Sequence, residues 1–154
     1  MKYKSFKGMN CSLAQALEAI GERWSLLILR EAFYGRTRFS QFLEELGISR
    51  NILTSRLNHL VEQGILEKRM SKETAHTEYV LTEAGRSLRT VIVSLIQWGD
   101  EYRPHPDGQR LGLVDRASNE PIRKMDLYTE SGSLVPPGGI KVVPGRGVAV
   151  PDAD

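Results

Sequence analysis

The chain has 154 residues, 40% of them hydrophobic and 26% charged, and its 21 Lys and Arg against 19 Asp and Glu leave a formal net charge of +2. This is the composition of an ordinary globular protein; it excludes a basic tail or an acidic solvating tract, and charge alone does not point to nucleic acid. The single cysteine excludes an internal disulfide and a Cys-x-x-Cys pair, and no apolar run approaches the roughly 18 residues of a membrane span. Met1 to Asn10 is polar and basic with no apolar stretch of a secretory signal, so the expected compartment is a reducing cytoplasm, where a lone thiol stays free.

All seven prolines lie at or beyond position 104. Charge divides at the same place: residues 1–103 hold 15 basic and 12 acidic side chains, and residues 104–154 hold 6 and 7. Two pieces are expected, a domain over 1–103 and a Pro/Gly-rich extension over 104–154.

In chain order, Ser12 is placed to cap a helix whose Leu13, Ala16, Leu17 and Ile20 recur at helical spacing and which stops near Gly21. Trp24 to Phe33 is apolar on most of its circumference, which suits a central helix packed on all sides, ended by Gly35. Phe39, Phe42, Leu43 and Leu46 then form a one-sided stripe in a helix of about two turns. Gly47 supplies a tight turn, Ile48 is apolar, and Ser49 is a good N-cap. From Arg50 to Gln63, Leu53, Leu57, Leu60 and Val61 share one face. Asn51, Ser55, Asn58 and Glu62 point away from it, with Thr54 and His59 on the flanks. Gly64 closes that helix.

Ile65–Met70 and Thr77–Thr82 read as two strands of a hairpin with a polar tip. Thr82 is expected to cap one long helix from Glu83 to about Tyr102. Its Leu88, Val91, Ile92, Leu95, Trp98, Gly99 and Tyr102 repeat at threes and fours, an apolar seam longer than a domain of this size can cover. A second copy is the economical partner. Beyond Pro104, Leu111–Val114, Met125–Tyr128 and Ile140–Val143 predict two or three short strands, or partly ordered extended chain, between turns.

Two short helices joined by a tight turn, the second polar on its outer face, followed by a hairpin, describe a winged helix-turn-helix. The fold class is mainly α with a small β-hairpin wing. An α-helix fits the major groove of duplex DNA, where each base pair shows a distinct donor and acceptor pattern. The first turns of the second helix would read it, through Arg50, Asn51, Thr54, Ser55 and Asn58. Phosphate contacts would come from Arg36, Thr37, Arg38 and Ser40 before and within the first helix, and from Arg56 on the flank. Lys68, Arg69, Lys72 and His76 of the hairpin would add to them. A polar helix face or a basic hairpin is by itself an ordinary solvated surface; the order of the elements carries this reading.

The residues also carry a resemblance. Cys11, then Ile20-Gly21-Glu22-Arg23-Trp24 and Gly35-Arg36-Thr37-Arg38-Phe39, resemble the opening of HxlR-type winged helix-turn-helix regulators. The likeness continues through Gly47-Ile48-Ser49, Gly64-Ile65-Leu66, Glu78-Tyr79-Val80-Leu81-Thr82 and Trp98-Gly99, over about residues 9–103. It implies a bacterial transcriptional regulator that binds operator DNA as a homodimer, with first and last helices at the interface. That adds Leu13 and Leu17 to Leu88, Ile92, Leu95, Trp98 and Tyr102. Two departures stand at expected phosphate contacts: Arg36 where the family usually has proline, and Ala75-His76-Thr77 without the prolines frequent in the family's wing.

Some members of that family sense oxidants or electrophiles through a cysteine at the position of Cys11. A thiol at a helix N-terminus feels the positive end of the macrodipole, which favours the thiolate; Lys4 and Lys7 lie near in sequence. A small oxidant or electrophile is therefore a candidate effector, set against the commoner fate of a free cysteine as an inert side chain. No cofactor is expected. His59, His76 and His105 are not at metal-ligand spacing, and no P-loop, nucleophile elbow or other catalytic motif is present. The competing reading is a winged-helix protein-interaction module that leaves the recognition helix unused. An enzyme or ligand carrier built on the extension has few convergent polar groups to rest on.

Overall fold

The computed structural model describes residues 5–71 and 75–145. The chain forms two compact units, Met1–Val93 and Ser94–Asp154. The division falls inside the last helix, whereas the change in composition comes at Pro104.

The N-terminal unit contains α1 (Ser12–Ile20), α2 (Arg23–Phe33), α3 (Phe39–Leu46), α4 (Arg50–Glu62), β1 (Leu66–Met70), β2 (Thr77–Leu81), α5 (Glu83–Ser87) and the first turn of α6 (Arg89–Tyr102). α2 is the central element: it packs against α1, α3, α4 and β2. Ile28 and Leu29 of α2, Phe42 of α3, and Leu53, Leu57 and Leu60 of α4 are fully buried. The spacing read from the sequence holds for α3 and α4, which each turn one apolar face inward; on α2 no residue from Trp24 to Phe33 is exposed, as expected of a helix packed on all sides. Glu31 is the charged member of this interior, and Arg30 pairs with it at 2.6 Å.

Glycines set the corners. Gly35 (φ +90°) and Gly64 (φ +67°) each follow a helix and take the positive φ that only glycine adopts without strain. At the first corner Arg36 N–H donates to the Glu31 carbonyl at 3.0 Å, and at the second Ile65 N–H donates to Leu60 at 2.9 Å. Both bonds satisfy carbonyls left over at a helix end. The second turns the chain directly into β1, which pairs antiparallel with β2 in register from Leu66 opposite Leu81 to Met70 opposite Thr77. The hairpin also takes a third pairing that the sequence did not announce. Arg38, just before α3, bridges to Glu78, and Tyr79 N–H donates to the Thr37 carbonyl at 2.7 Å.

Three local expectations are corrected. The N-cap of α1 is Cys11, in extended conformation and with no side-chain cap bond, so Ser12 is the first helical residue and not the cap. The continuous helix expected over 83–102 is two helices. Thr82 does cap the first, its Oγ1 accepting from Gly85 N–H at 3.0 Å. The turn then tightens: Leu88 N–H donates to the Gly85 carbonyl at 3.1 Å, and Ser87 Oγ donates to Ala84 at 2.7 Å, which breaks the α pattern at Leu88. Third, α1 turns Ala14 and Ile20 inward, while Leu13, Ala16 and Leu17 of the expected stripe are exposed.

The C-terminal unit joins the rest of α6 to the extension. Its turns are well formed: the Asp115 carboxylate accepts from Ala117 N–H, Ser118 N–H and Ser118 Oγ at 2.8–3.0 Å. Val114 bridges to Pro121 and Tyr128 to Leu134. These are isolated bridges; among the described residues of the extension no run pairs long enough to be a strand, including Ile140–Val143. No helix of the described residues is long and apolar enough to cross a membrane.

Gly85 offers a direct check of this packing. A Cβ there would lie 2.2 Å from the Ile65 carbonyl oxygen. Elsewhere in a helix, Gly→Ala stabilises by about 1 kcal/mol. Here Gly85→Ala is expected to destabilise by about 1–3 kcal/mol in urea unfolding, because backbone must move.

Candidate nucleic-acid interface

The helix-turn-helix is α3, a three-residue turn and α4. Gly47 takes φ +60°, Ile48 is buried under the turn, and Ser49 Oγ accepts from Ile52 N–H at 3.3 Å. Satisfying that orphan donor fixes where α4 begins. With Leu53, Leu57 and Leu60 buried, the opposite face is committed to solvent: Arg50, Asn51, Thr54 and Ser55 are all exposed. Asn58 is different. It is half-buried, and its Oδ1 accepts from Lys68 Nζ of β1 at 3.0 Å, so it ties the wing to α4. His59, on the flank, puts Nε2 at 3.1–3.2 Å from the Glu18 and Ala19 carbonyls and ties α4 to α1.

The segment before α3 is also fixed by polar contacts. Gln41 Oε1 accepts from both Thr37 N–H (3.1 Å) and Arg38 N–H (3.0 Å). This is the reciprocal half of a capping box, with glutamine at the third helical position. Thr37 Oγ1 donates to the Glu78 carboxylate at 3.4 Å. The loop, the start of α3 and the wing therefore form one connected surface beside α4.

The cations on that surface fall into two groups. Arg36 pairs with Glu45 at 2.5 Å, Arg56 with Glu22 at 3.6 Å, and Arg69 with Glu67. Arg38 and Arg50 are exposed and have no ion pair among the described residues. Exposed pairs of this kind contribute about 0–1 kcal/mol, little enough for a phosphate to replace the carboxylate. Ser40 and His76 are exposed, while Lys72 lies outside the described residues. Lys68 stands 5.7 Å from the Tyr79 ring centroid, and burial pushes the Tyr79 hydroxyl above its usual value. The sequence reading missed Glu22, Glu45 and Glu67 as internal partners; Arg56 with Glu22 bridges residues far apart in the chain, whereas Glu67 and Arg69, two apart on β1, share a face that strand periodicity could have shown.

Of the side chains expected at a subunit interface, Leu13 and Leu17 are exposed on α1, and Leu95, Trp98 and Tyr102 are exposed on α6. Leu88 is half-buried at the helix break. Ile92 is the correction: it is buried in the protomer's own core, which removes it from any surface a second copy can reach. The Trp98 and Tyr102 rings meet at a tilt of 36°, with centroids 5.6 Å apart.

Cys11 is exposed and unpaired at the start of α1. The residues before it are held by α1 itself. Gln15 Nε2 donates to the Met9 and Phe6 carbonyls at 2.8 and 3.2 Å, and the Glu18 carboxylate accepts from Ser5 Oγ and Phe6 N–H, both at 2.8 Å. Those bonds hold the Glu18 carboxyl below its ordinary value of 4.5. Lys7 and Gln15 line the hollow around the thiol; Lys4 lies outside the described residues. Among the described residues, no group of three His, Cys, Asp or Glu side chains is placed to hold a metal ion.

A depressed carboxyl contributes stability above its unfolded value and loses it as pH falls through the folded value. The strap over residues 5–10 is therefore expected to loosen only below about pH 4.5, the ordinary Glu18 value. Amide exchange at Phe6, corrected for intrinsic rate, reads this directly; Glu18→Gln should show the loosened rate at neutral pH.

The arrangement matches known proteins along its length. A sequence profile described as HxlR-like helix-turn-helix matches residues 19–107. An uncharacterized HTH-type transcriptional regulator of Mycobacterium tuberculosis (strain H37Rv) is 44% identical over 137 residues, covering 88% of this chain and 87% of its own. The crystal structure of PA1607, a candidate transcription factor, superposes with a TM-score of 0.85 at 38% identity over 91% of this chain and 99% of that one. The redox regulator HypR in its oxidized form gives 0.55 at 28% identity, over 59% of this chain and 96% of its own. A capped α4 with a polar outer face, a wing braced to it, and relatives named as regulators lead to one assignment: the chain belongs to the HxlR-like helix-turn-helix family and is a DNA-binding transcriptional regulator, not an enzyme.

Proposed function

We propose that the protein binds operator DNA as a homodimer, with the first turns of α4 in the major groove and the wing and α3 loop on the flanking phosphates. The observation that carries this is the division of α4 into a fully buried apolar face and an exposed face bearing Arg50, Asn51, Thr54 and Ser55. Arg50 has the donors for guanine O6 and N7, Asn51 the donor and acceptor for adenine, and Thr54 and Ser55 suit either base or a thymine methyl. Asn58 joins them by giving up its bond to Lys68, which frees that ammonium for phosphate. Arg36, Thr37, Arg38, Ser40, Arg56, Arg69, Lys72 and His76 set register on the backbone. The net charge is low, so dimerisation, which presents each cation twice, supplies the electrostatic term.

Asn51→Ala is expected to reduce discrimination at one base pair per half-site by about 5- to 100-fold while leaving the salt dependence unchanged. Arg38→Ala is expected to weaken binding to all sequences and to flatten the slope of log affinity against log salt by about 1 per protomer. Fluorescence anisotropy on promoter fragments measures both. Unchanged affinity in Asn51→Ala/Ser55→Ala/Arg38→Ala contradicts DNA reading by α4.

The homodimer rests on the exposed Leu95, Trp98 and Tyr102, spaced by three and four along α6. Leu95→Asp/Trp98→Asp should sediment as monomer and lose most operator affinity, because each half-site then binds alone.

Cys11 is proposed as an oxidant sensor, supported by its exposure at the start of α1 and by likeness to the redox regulator HypR. With one thiol per chain, diamide would take two electrons and two protons from two Cys11 thiols and leave one intersubunit disulfide, or pair Cys11 with a small thiol. Diamide is expected to change operator binding of the wild type, reversibly with dithiothreitol, and to leave Cys11→Ser unaffected. An equal response in Cys11→Ser contradicts the sensor.

A further inference from the structure

The C-terminal unit has order without an interior. Among the described residues 104–145, none is buried, and only Leu113 and Val135 are half-buried. Its shape is held by polar groups instead: the Asp115 turn, the bridges at Val114 and Tyr128, and Arg123, which donates to the Tyr128 hydroxyl at 2.8 Å and lies over its ring. The attachment to α6 is polar as well. Gln97 donates to the Arg123 carbonyl at 3.0 Å and accepts from Met125 N–H at 2.7 Å, Glu101 pairs with Lys124 at 2.5 Å, and Asp100 with Arg110 at 3.7 Å. At 100° per residue, Gln97, Asp100 and Glu101 share one side of α6, and Leu95, Trp98 and Tyr102 share the other. Polar groups thus do the internal fastening, and apolar groups are left outward on both sides.

The outward surface is large. Leu127 is 57% exposed, Leu134 55% and Val142 90%, and Leu111, Ile140 and Val143 are exposed with them. With Val114, Ile122, Met125 and Tyr128 this makes ten apolar side chains, presenting on the order of 1,000 Å² of surface at roughly 100 Å² each. A standard interface takes about 800 Å² from each partner, and obligate homodimers take more and are more apolar. Charge in residues 104–154 is 6 basic against 7 acidic, so two copies do not repel there and no strongly charged partner is called for. A second copy carries the same exposed apolar side chains, and a symmetric contact between the two covers both sets at once.

We propose that the C-terminal unit is a dimerisation arm, whose apolar surface packs on a second copy of this chain. The inference rests on the homodimer reading above and extends it. The extension adds its ten exposed apolar side chains to the three of the α6 seam, and a second copy covers both.

The test uses the full chain. In the wild type, hydrogen exchange of amides 113–135 should slow as protein concentration rises through the dimer dissociation constant measured by sedimentation. Leu127→Glu/Leu134→Glu, with unchanged circular dichroism, should weaken the dimer at least about tenfold, or 1.4 kcal/mol. A wild-type dimer whose 113–135 amides exchange at the same rate at every concentration overturns the arm and leaves the homodimer standing. A Leu127→Glu/Leu134→Glu dimer as tight as wild type does the same. Wild type that stays monomeric at all concentrations removes the homodimer and the arm together. The exchange measurement needs no substitution, so misfolding of the variant does not shield the proposal.

Discussion

Burial of Leu53, Leu57 and Leu60 against α2 is the contact on which the rest of the N-terminal unit depends. A helix of 13 residues has one apolar stripe to spend on the core, and once that stripe is seated the rotation of α4 is fixed. Arg50, Asn51, Thr54 and Ser55 then face solvent with no freedom to do otherwise. Ser49 at one end and Gly64 at the other fix its length, and the Schellman turn at Gly64 delivers the chain into the wing. On the proposed reading, the geometry of DNA recognition follows from core packing: what holds α4 in place also aims it.

Placement, not amount, makes the charge useful. A formal charge of +2 over the chain gives no long-range field worth the name. The cations proposed to meet phosphate lie on the α3 loop, α4 and wing, and three are held by carboxylates of the same chain. Such pairs are weak when exposed, so they keep side chains oriented at small energetic cost until a phosphate competes.

How much of this was legible in the sequence follows from distance along the chain. Helix ends set by local chemistry were readable to within a residue or two: the Ser49 cap, the Gly47 turn, the Thr82 cap. Contacts between distant segments were not. The bridge of Arg38 to Glu78, the pairing of Arg56 with Glu22, and the hold of His59 on α1 join residues that no pattern links. Ile92 shows the limit of periodicity. The α6 repeat of threes and fours identified its apolar positions but not which of them the protomer covers for itself. In the extension the expected strands are absent among the described residues: only Val114 and Tyr128 of those runs make isolated bridges, and turns closed by Asp115 and Thr129 leave too little chain for paired strands.

The central claim is that α4 enters the major groove, once per protomer of a dimer. Dimethyl sulfate reports the major groove by methylating guanine N7. On a genomic fragment bound to saturation, the account expects N7 protection in two segments about 10 base pairs apart, or a multiple of that spacing, one for each half-site. A saturated complex with every guanine N7 still reactive would contradict it.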